Sequence, residues 1–134
     1  MRRNAYLLTA VFALTALLAY GGQVRDRDAT WLAPAEEASR SNPLAARADV
    51  LAGGRKLFHQ RCATCHGDDG GGTTKAPDLT QPGVQSQSDG ALFWKISGGR
   101  SRHGMPAFSF LPAPQRWQLV LQIKTLVAPV LEAP

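Results

Sequence analysis

Cys62-Ala63-Thr64-Cys65-His66 holds both cysteines of the chain, three positions apart and followed at once by a histidine. With two cysteines in 134 residues, a disulfide framework is excluded, and so is a four-thiolate metal site, which needs two such pairs. Upstream, Val50, Leu51, Gly54, Leu57, Phe58 and Cys62 recur at spacings of three and four behind Asp49, a good N-cap, which predicts an amphipathic helix ending at the motif. Gly53 and Gly54 inside it cost about 1 kcal/mol each relative to alanine, so a second helix crossing closely there is expected. The candidate lies at the other end of the chain. Pro114 pre-sets a first turn, Leu119, Val120, Ile123, Leu126 and Val127 form one stripe, and Pro129 stops it. Between the two, Ser88 or Asp89 caps a shorter helix carrying Leu92, Phe93 and Ile96 and ended by Gly98-Gly99. The segments 67–87 and 100–113 are rich in Gly, Pro and Ser and lack strand-like alternation. The expected fold class is all-α, three main helices joined by long loops.

A domain of roughly 80 residues with so much irregular chain rarely buries enough apolar surface to be stable unaided. The C-x-x-C-H spacing supplies a reason for the design, because it is the signature of covalent c-type haem attachment. Two cysteines on the same side of one helical turn can bond the two vinyl groups of one haem edge, while His66 directs a ring nitrogen at the iron. A zinc site would need two further ligands, and His59 and His103, the other histidines, have no paired spacing. A redox dithiol would need its cysteines to open a helix within a β-α-β unit, whereas here they close one. One haem c, held through Cys62 and Cys65, is therefore the expected cofactor.

From Asp49 to Val127 the chain resembles the class I cytochrome c family, small mono-haem electron carriers. The resemblance rests on Gly54-Arg-Lys-Leu-Phe58 leading into Cys62-Ala-Thr-Cys-His-Gly67, on Ala76-Pro77-Asp78-Leu79, on Leu92-Phe-Trp-Lys-Ile96, on Gly104-Met-Pro-Ala-Phe108 and on Arg116-Trp-Gln-Leu-Val120. It implies a cytochrome c fold wrapped around the haem, with His66 as first axial ligand and Met105 as second, and the first and last helices crossing at Gly54 and Phe58. It further implies that the Pro77 carbonyl accepts the other ring N–H of His66. Relatives often carry an aromatic residue near Gln122, which this chain lacks. Met105 has His103 as a competitor two positions earlier, but Gly104 and Pro106 suit a loop running close to a flat cofactor, and Pro106 biases Met105 to an extended conformation. Trp94, Arg100 and Arg102 are candidates for the haem propionates, with packing or solvated roles as the alternative. His59, one turn before Cys62, is expected to face solvent. The Gly67-Asp-Asp-Gly-Gly-Gly72 stretch lacks the ligand spacing of a calcium loop and the ending of a phosphate loop.

Arg2 and Arg3 precede an uncharged stretch, 4–24, whose apolar heart runs Ala5 to Tyr20. This reads as an export signal with cleavage after Gly21, or as an N-terminal membrane anchor, and places the protein in the periplasm or otherwise outside the cytoplasm. The expected organisation is 1–21 signal or anchor, 22–48 linker or surface arm, 49–128 haem domain and 129–134 tail. Pro34 and Pro43 limit helices in the arm, and Trp31 and Leu32 are candidates to dock it. A net charge of +5 with 19% charged residues and no long basic run makes nucleic acid a poor partner. With His and Met on the iron the expected function is single-electron transfer between redox proteins, by a non-enzymatic monomer. A haem c electron-entry subunit of a larger oxidoreductase is the alternative, and a peroxidase or gas sensor with a displaceable Met105 a remoter one. Lys95, Arg100 and Arg102 are read as a basic rim for a partner with an acidic docking surface, or else as scattered surface charge.

Overall fold

The computed structural model describes residues 31–126. The N-terminal segment, Val127, Pro129 and the tail lie outside these residues. From Ala33 onward the chain forms one compact unit. Its helices, in order, are α1 (Ala35–Ala38), α2 (Ala48–Arg61), α3 (Ala63–His66), α4 (Pro82–Gln85), α5 (Asp89–Gly98) and α6 (Ala113–Lys124), with a 3-10 turn at Ser101–His103. Among the described residues there is no β-strand, only an isolated bridge between Arg100 and Met105. The all-α class read from the sequence is what the structure has, with α2, α5 and α6 as the long helices. No helix of the described residues is long and apolar enough to cross a membrane.

The helix ends follow local chemistry. At α5, the Ser88 hydroxyl accepts the Ala91 N–H at 3.2 Å, Asp89 sits in the first turn where the helix dipole favours an acid, and Gly99 at φ 62° closes the helix. Pro114 occupies the first turn of α6, where its missing N–H costs nothing. At α2 the expectation that Asp49 is the N-cap is corrected. The helix begins two residues earlier, at Ala48, with Arg47 as the flanking residue. The Asp49 carboxylate is taken by the Arg47 guanidinium, at 3.1 Å from Nε and 3.0 Å from Nη2, and that hydrogen bond holds its pKa below the ordinary value.

Apolar residues of the three long helices and the loop after α5 meet in one cluster that includes Phe58, Leu92, Phe93, Ile96, Phe108, Trp117, Leu119 and Val120. Phe58, Leu119 and Val120 are the large side chains buried most completely. Helix α2 crosses α6 where the glycines predicted a close approach. A Cβ on Gly54 would lie 2.5 Å from the Gln118 carbonyl oxygen, and one on Gly53 would lie 2.8 Å from the Gln118 side-chain amide. Gln122 stands at this crossing; it is buried, and its Oε1 has no hydrogen-bond partner. Residues 33–48 lie along α5 and α6. Ser88 Oγ donates to the Ala38 carbonyl at 2.6 Å, Asn42 Nδ2 donates to the Trp117 carbonyl at 3.0 Å, and the Arg40 guanidinium lies 4.8 Å from the Phe93 ring centre.

The two glycines make a graded test. Gly54→Ala meets backbone that cannot move alone and should cost about 1–3 kcal/mol in denaturant unfolding. Gly53→Ala meets only a flexible side chain and should cost less. Gly83→Ala meets nothing within 4 Å and should leave stability within about 0.5 kcal/mol of the parent or raise it.

Candidate functional site

Helix α2 is followed directly by the cysteine motif. Cys62 is the last flanking residue of α2 and the first of α3. Its N–H donates to the Phe58 carbonyl at 2.8 Å, and its own carbonyl accepts from Cys65 N at 3.0 Å and His66 N at 2.9 Å. Cys62, Cys65 and His66 thus share one helical turn, at the spacings of three and four that bring side chains to one side. The two thiols are free, not joined to each other. Burial, with the neighbouring Cys65 adding to it, pushes the Cys62 thiol up to about 11. A nucleophilic redox dithiol needs the opposite shift. Among the described residues no three His, Cys, Asp or Glu side chains are gathered to hold a metal ion.

His66 is oriented by a carbonyl. Its Nδ1 lies 2.9 Å from the Pro77 oxygen, the partner that the resemblance implied. A carbonyl only accepts, so Nδ1 carries the proton in this bond, which leaves Nε2 as the ring nitrogen that could face a metal. The loop that brings Pro77 there is held largely by its own hydrogen bonds. Gly72 N donates to the His66 carbonyl at 2.8 Å and Leu79 N to the Gly70 carbonyl at 2.7 Å, while the Thr73 hydroxyl caps the Cys65 carbonyl. Gly72 has φ 84°, and a Cβ there would stand 2.7 Å from Asp78 N, so only glycine lets the two backbone segments come together. Asp78 ties the exit of the loop, accepting from Thr80 N at 2.7 Å, Thr80 Oγ1 at 2.6 Å and Gln81 Nε2 at 2.6 Å. These bonds hold its carboxyl below the usual aspartate range. Thr73 and Asp78 were not singled out in the sequence reading. The signal available was Asp78-Leu-Thr80, an acid two residues ahead of a threonine, as in side-chain-closed turns.

Met105 comes from the loop between α5 and α6. It is half-buried and packs on the same apolar cluster as Cys62. Arg100 N donates to the Met105 carbonyl at 2.8 Å and Met105 N to the Arg100 carbonyl at 3.3 Å, and Phe108 N reaches back to the Ile96 carbonyl at 3.0 Å. His103 is exposed on the 3-10 turn, as is Arg102, while Trp94 and Arg100 are half-buried. His59 is exposed, with Nδ1 3.3 Å from an Asp68 carboxylate oxygen. Lys95 departs from the sequence reading. It is buried at 8% exposure, so it does not contribute to an exposed basic rim.

A family model described as cytochrome c oxidase, cbb3-type, subunit III matches residues 49–121. The chain belongs to this family of c-type cytochromes. The match covers more than half of the chain, from the start of α2 into α6, and takes in Cys62, Cys65, His66, Pro77 and Met105. No curated protein matches the chain. A cytochrome c domain implies haem c and electron transfer, and the donor set fits that group: two unpaired thiols in one turn, an imidazole oriented through Nδ1, and a thioether on the same apolar cluster.

Because the Asp78 carboxyl titrates below its ordinary value in the folded protein, its network stabilises the loop at neutral pH and loses that effect as pH falls below about 4. Asp78→Asn should therefore lower the urea midpoint at neutral pH and flatten its decline in acid. A variant with the parent's acid slope would show that the carboxylate contributes nothing to the loop.

Proposed function

We propose that this chain carries single electrons between redox proteins outside the cytoplasm through one haem c. The observation that carries the reading is the His66–Pro77 hydrogen bond at 2.9 Å, set within one turn of the chain's two thiols. In this reading Cys62 and Cys65 hold the haem as thioethers, and His66 and Met105 are the axial ligands. Haem c supplies one-electron exchange at its iron. The protein's part is to orient and exclude. The Pro77 carbonyl fixes the tautomer and ring plane of His66, and Met105 fills the second axial position so that dioxygen or peroxide finds none open. Thioether sulfur favours the ferrous state, which suits the oxidising end of an electron-transfer chain. Trp94, Arg100 and Arg102 remain the candidates for the propionates.

The family match favours a second reading, in which the domain is the electron-entry subunit of an oxidase-type complex. The first 21 residues, as cleaved signal or anchor, then decide whether the domain diffuses or stays at the membrane. An acidic partner is proposed with a smaller basic contribution, from Arg100 and Arg102 without Lys95. Haem staining of native gels from mildly solubilised membranes separates the readings: a band at the mass of the free chain supports a mobile monomer, and a band of much higher mass supports the subunit.

Two substitutions test the ligand set. Met105→Ala should abolish the sulfur-to-iron charge-transfer band, lower the reduction potential and open the iron to carbon monoxide, with the fold kept. Wild-type protein that already binds carbon monoxide readily, and a variant that changes nothing, would remove Met105 from the iron and restore the peroxidase or sensor alternative. Cys62→Ala or Cys65→Ala should reduce the yield of holoprotein, and haem in the parent should resist acidic organic extraction.

A further inference from the structure

The loop that carries Met105 leaves α5 at Gly99 and enters α6 at Ala113. Its entry is secured by backbone. Gly99 lies against the Pro106 carbonyl so closely that no Cβ would fit, and the Arg100–Met105 bridge follows directly. Its exit is secured by one side chain. Arg116 Nε donates to the Leu111 carbonyl at 3.1 Å, and Nη1 donates to Ser97 Oγ, which itself donates to the Phe93 carbonyl at 2.7 Å. The guanidinium carbon stands 4.6 Å from the centre of the Phe93 ring. One planar group therefore joins the last turns of α5, the end of the Met105 loop and the first turns of α6.

Among the described residues Arg116 is in no ion pair. Neutral acceptors and an aromatic face hold its charge, so what it contributes is direction, a fork of fixed donors that a lysine cannot reproduce. Resting on the assignment of Met105 as axial ligand, we infer that Arg116 is a positioning residue that sets how firmly Met105 is held at the iron. A loop released at its exit populates the Met105-detached state more often. An added ligand that competes for that position then binds more tightly by the same factor.

The test is an imidazole titration of the ferric holoprotein, followed in the visible spectrum. Arg116→Lys should raise the apparent imidazole affinity about tenfold, the scale of one lost charge-assisted hydrogen bond, and weaken the sulfur-to-iron band. Ser97→Ala, which removes the Nη1 partner together with the hydroxyl's own bond to the Phe93 carbonyl, should shift both in the same direction by less, and it decides the matter if Arg116→Lys does not fold. Val50→Ala, a buried truncation on α2 outside the apolar cluster that Met105 packs on, serves as control and should leave imidazole affinity at the parental value. Parental affinity in both Arg116→Lys and Ser97→Ala, or an equal shift in Val50→Ala, overturns the inference. Met105→Ala separates this from failure of the ligand assignment: if it binds imidazole no more tightly than the parent, Met105 is not the ligand and the inference falls with it. If it binds far more tightly while Arg116→Lys and Ser97→Ala do not, only the role of Arg116 is lost.

Discussion

Backbone contact between α2 and α6 governs where both thiols stand. A helix packed through side chains alone keeps its neighbour roughly 8–10 Å away axis to axis. Here Gly53 and Gly54 remove that spacing and let the Gln118 carbonyl touch α2. Phe58, one turn later, is buried at 1% exposure, and its carbonyl receives the Cys62 N–H. The crossing thus sets the angle of α2, the angle sets the end of the helix, and the end of the helix is the cysteine motif. Two glycines, unfavourable for the helix as an isolated element, act through the position they give to residues eight and more places downstream.

With no strands to order the rest of the described chain, side chains do the joining. Gln85 Nε2 donates to the Leu79 carbonyl at 2.8 Å and the Ile123 carbonyl at 2.9 Å, and Lys124 Nζ donates to the carbonyls of Gln85 and Gln87. Together they bind the stretch around α4 to the end of α6. Asn42 and Ser88 do the same for residues 33–48. Loops closed in this way satisfy buried backbone carbonyls one at a time, which is how an irregular chain avoids the penalty of unpaired polar groups. Among the described residues, Gln87 Oε1 and Gln122 Oε1 are side-chain oxygens buried without a partner.

What the sequence disclosed and what it concealed divide along the range of the interactions. The three long helices, the Ser88 cap, the glycine crossing and the cysteine turn all rest on periodicity or spacing within one element, and each was legible. The first turn of α2 was misread by two residues because Asp49 as a cap and Asp49 as a partner of Arg47 look alike until the backbone angle of Arg47 is known. Lys95 was read as surface because lysine is rarely buried, and nothing in the local pattern announces that it is buried on α5. Asn42 bonding to Trp117, or Arg116 bonding to Ser97, joins residues whose adjacency exists only after the helices have packed.

The two sides of the site are held in different ways. On the His66 side, the carbonyls of His66, Cys65, Gly70 and Ala76 are all bonded within the loop itself, and Pro77 presents its oxygen from inside that frame. Releasing His66 would mean opening several hydrogen bonds together. On the Met105 side, the loop bonds within itself through the Arg100–Met105 bridge, His103 N to the Arg100 carbonyl, Gly104 N to the Ser101 carbonyl and Leu111 N to the Phe108 carbonyl, and it is tied to the helices by Phe108 N on the Ile96 carbonyl and by Arg116 on the Leu111 carbonyl. Both supports are networks, so what separates the two proposed ligands is donor chemistry. The thioether is the weaker donor, and any exchange of ligands at the iron therefore starts from Met105 while His66 stays in place.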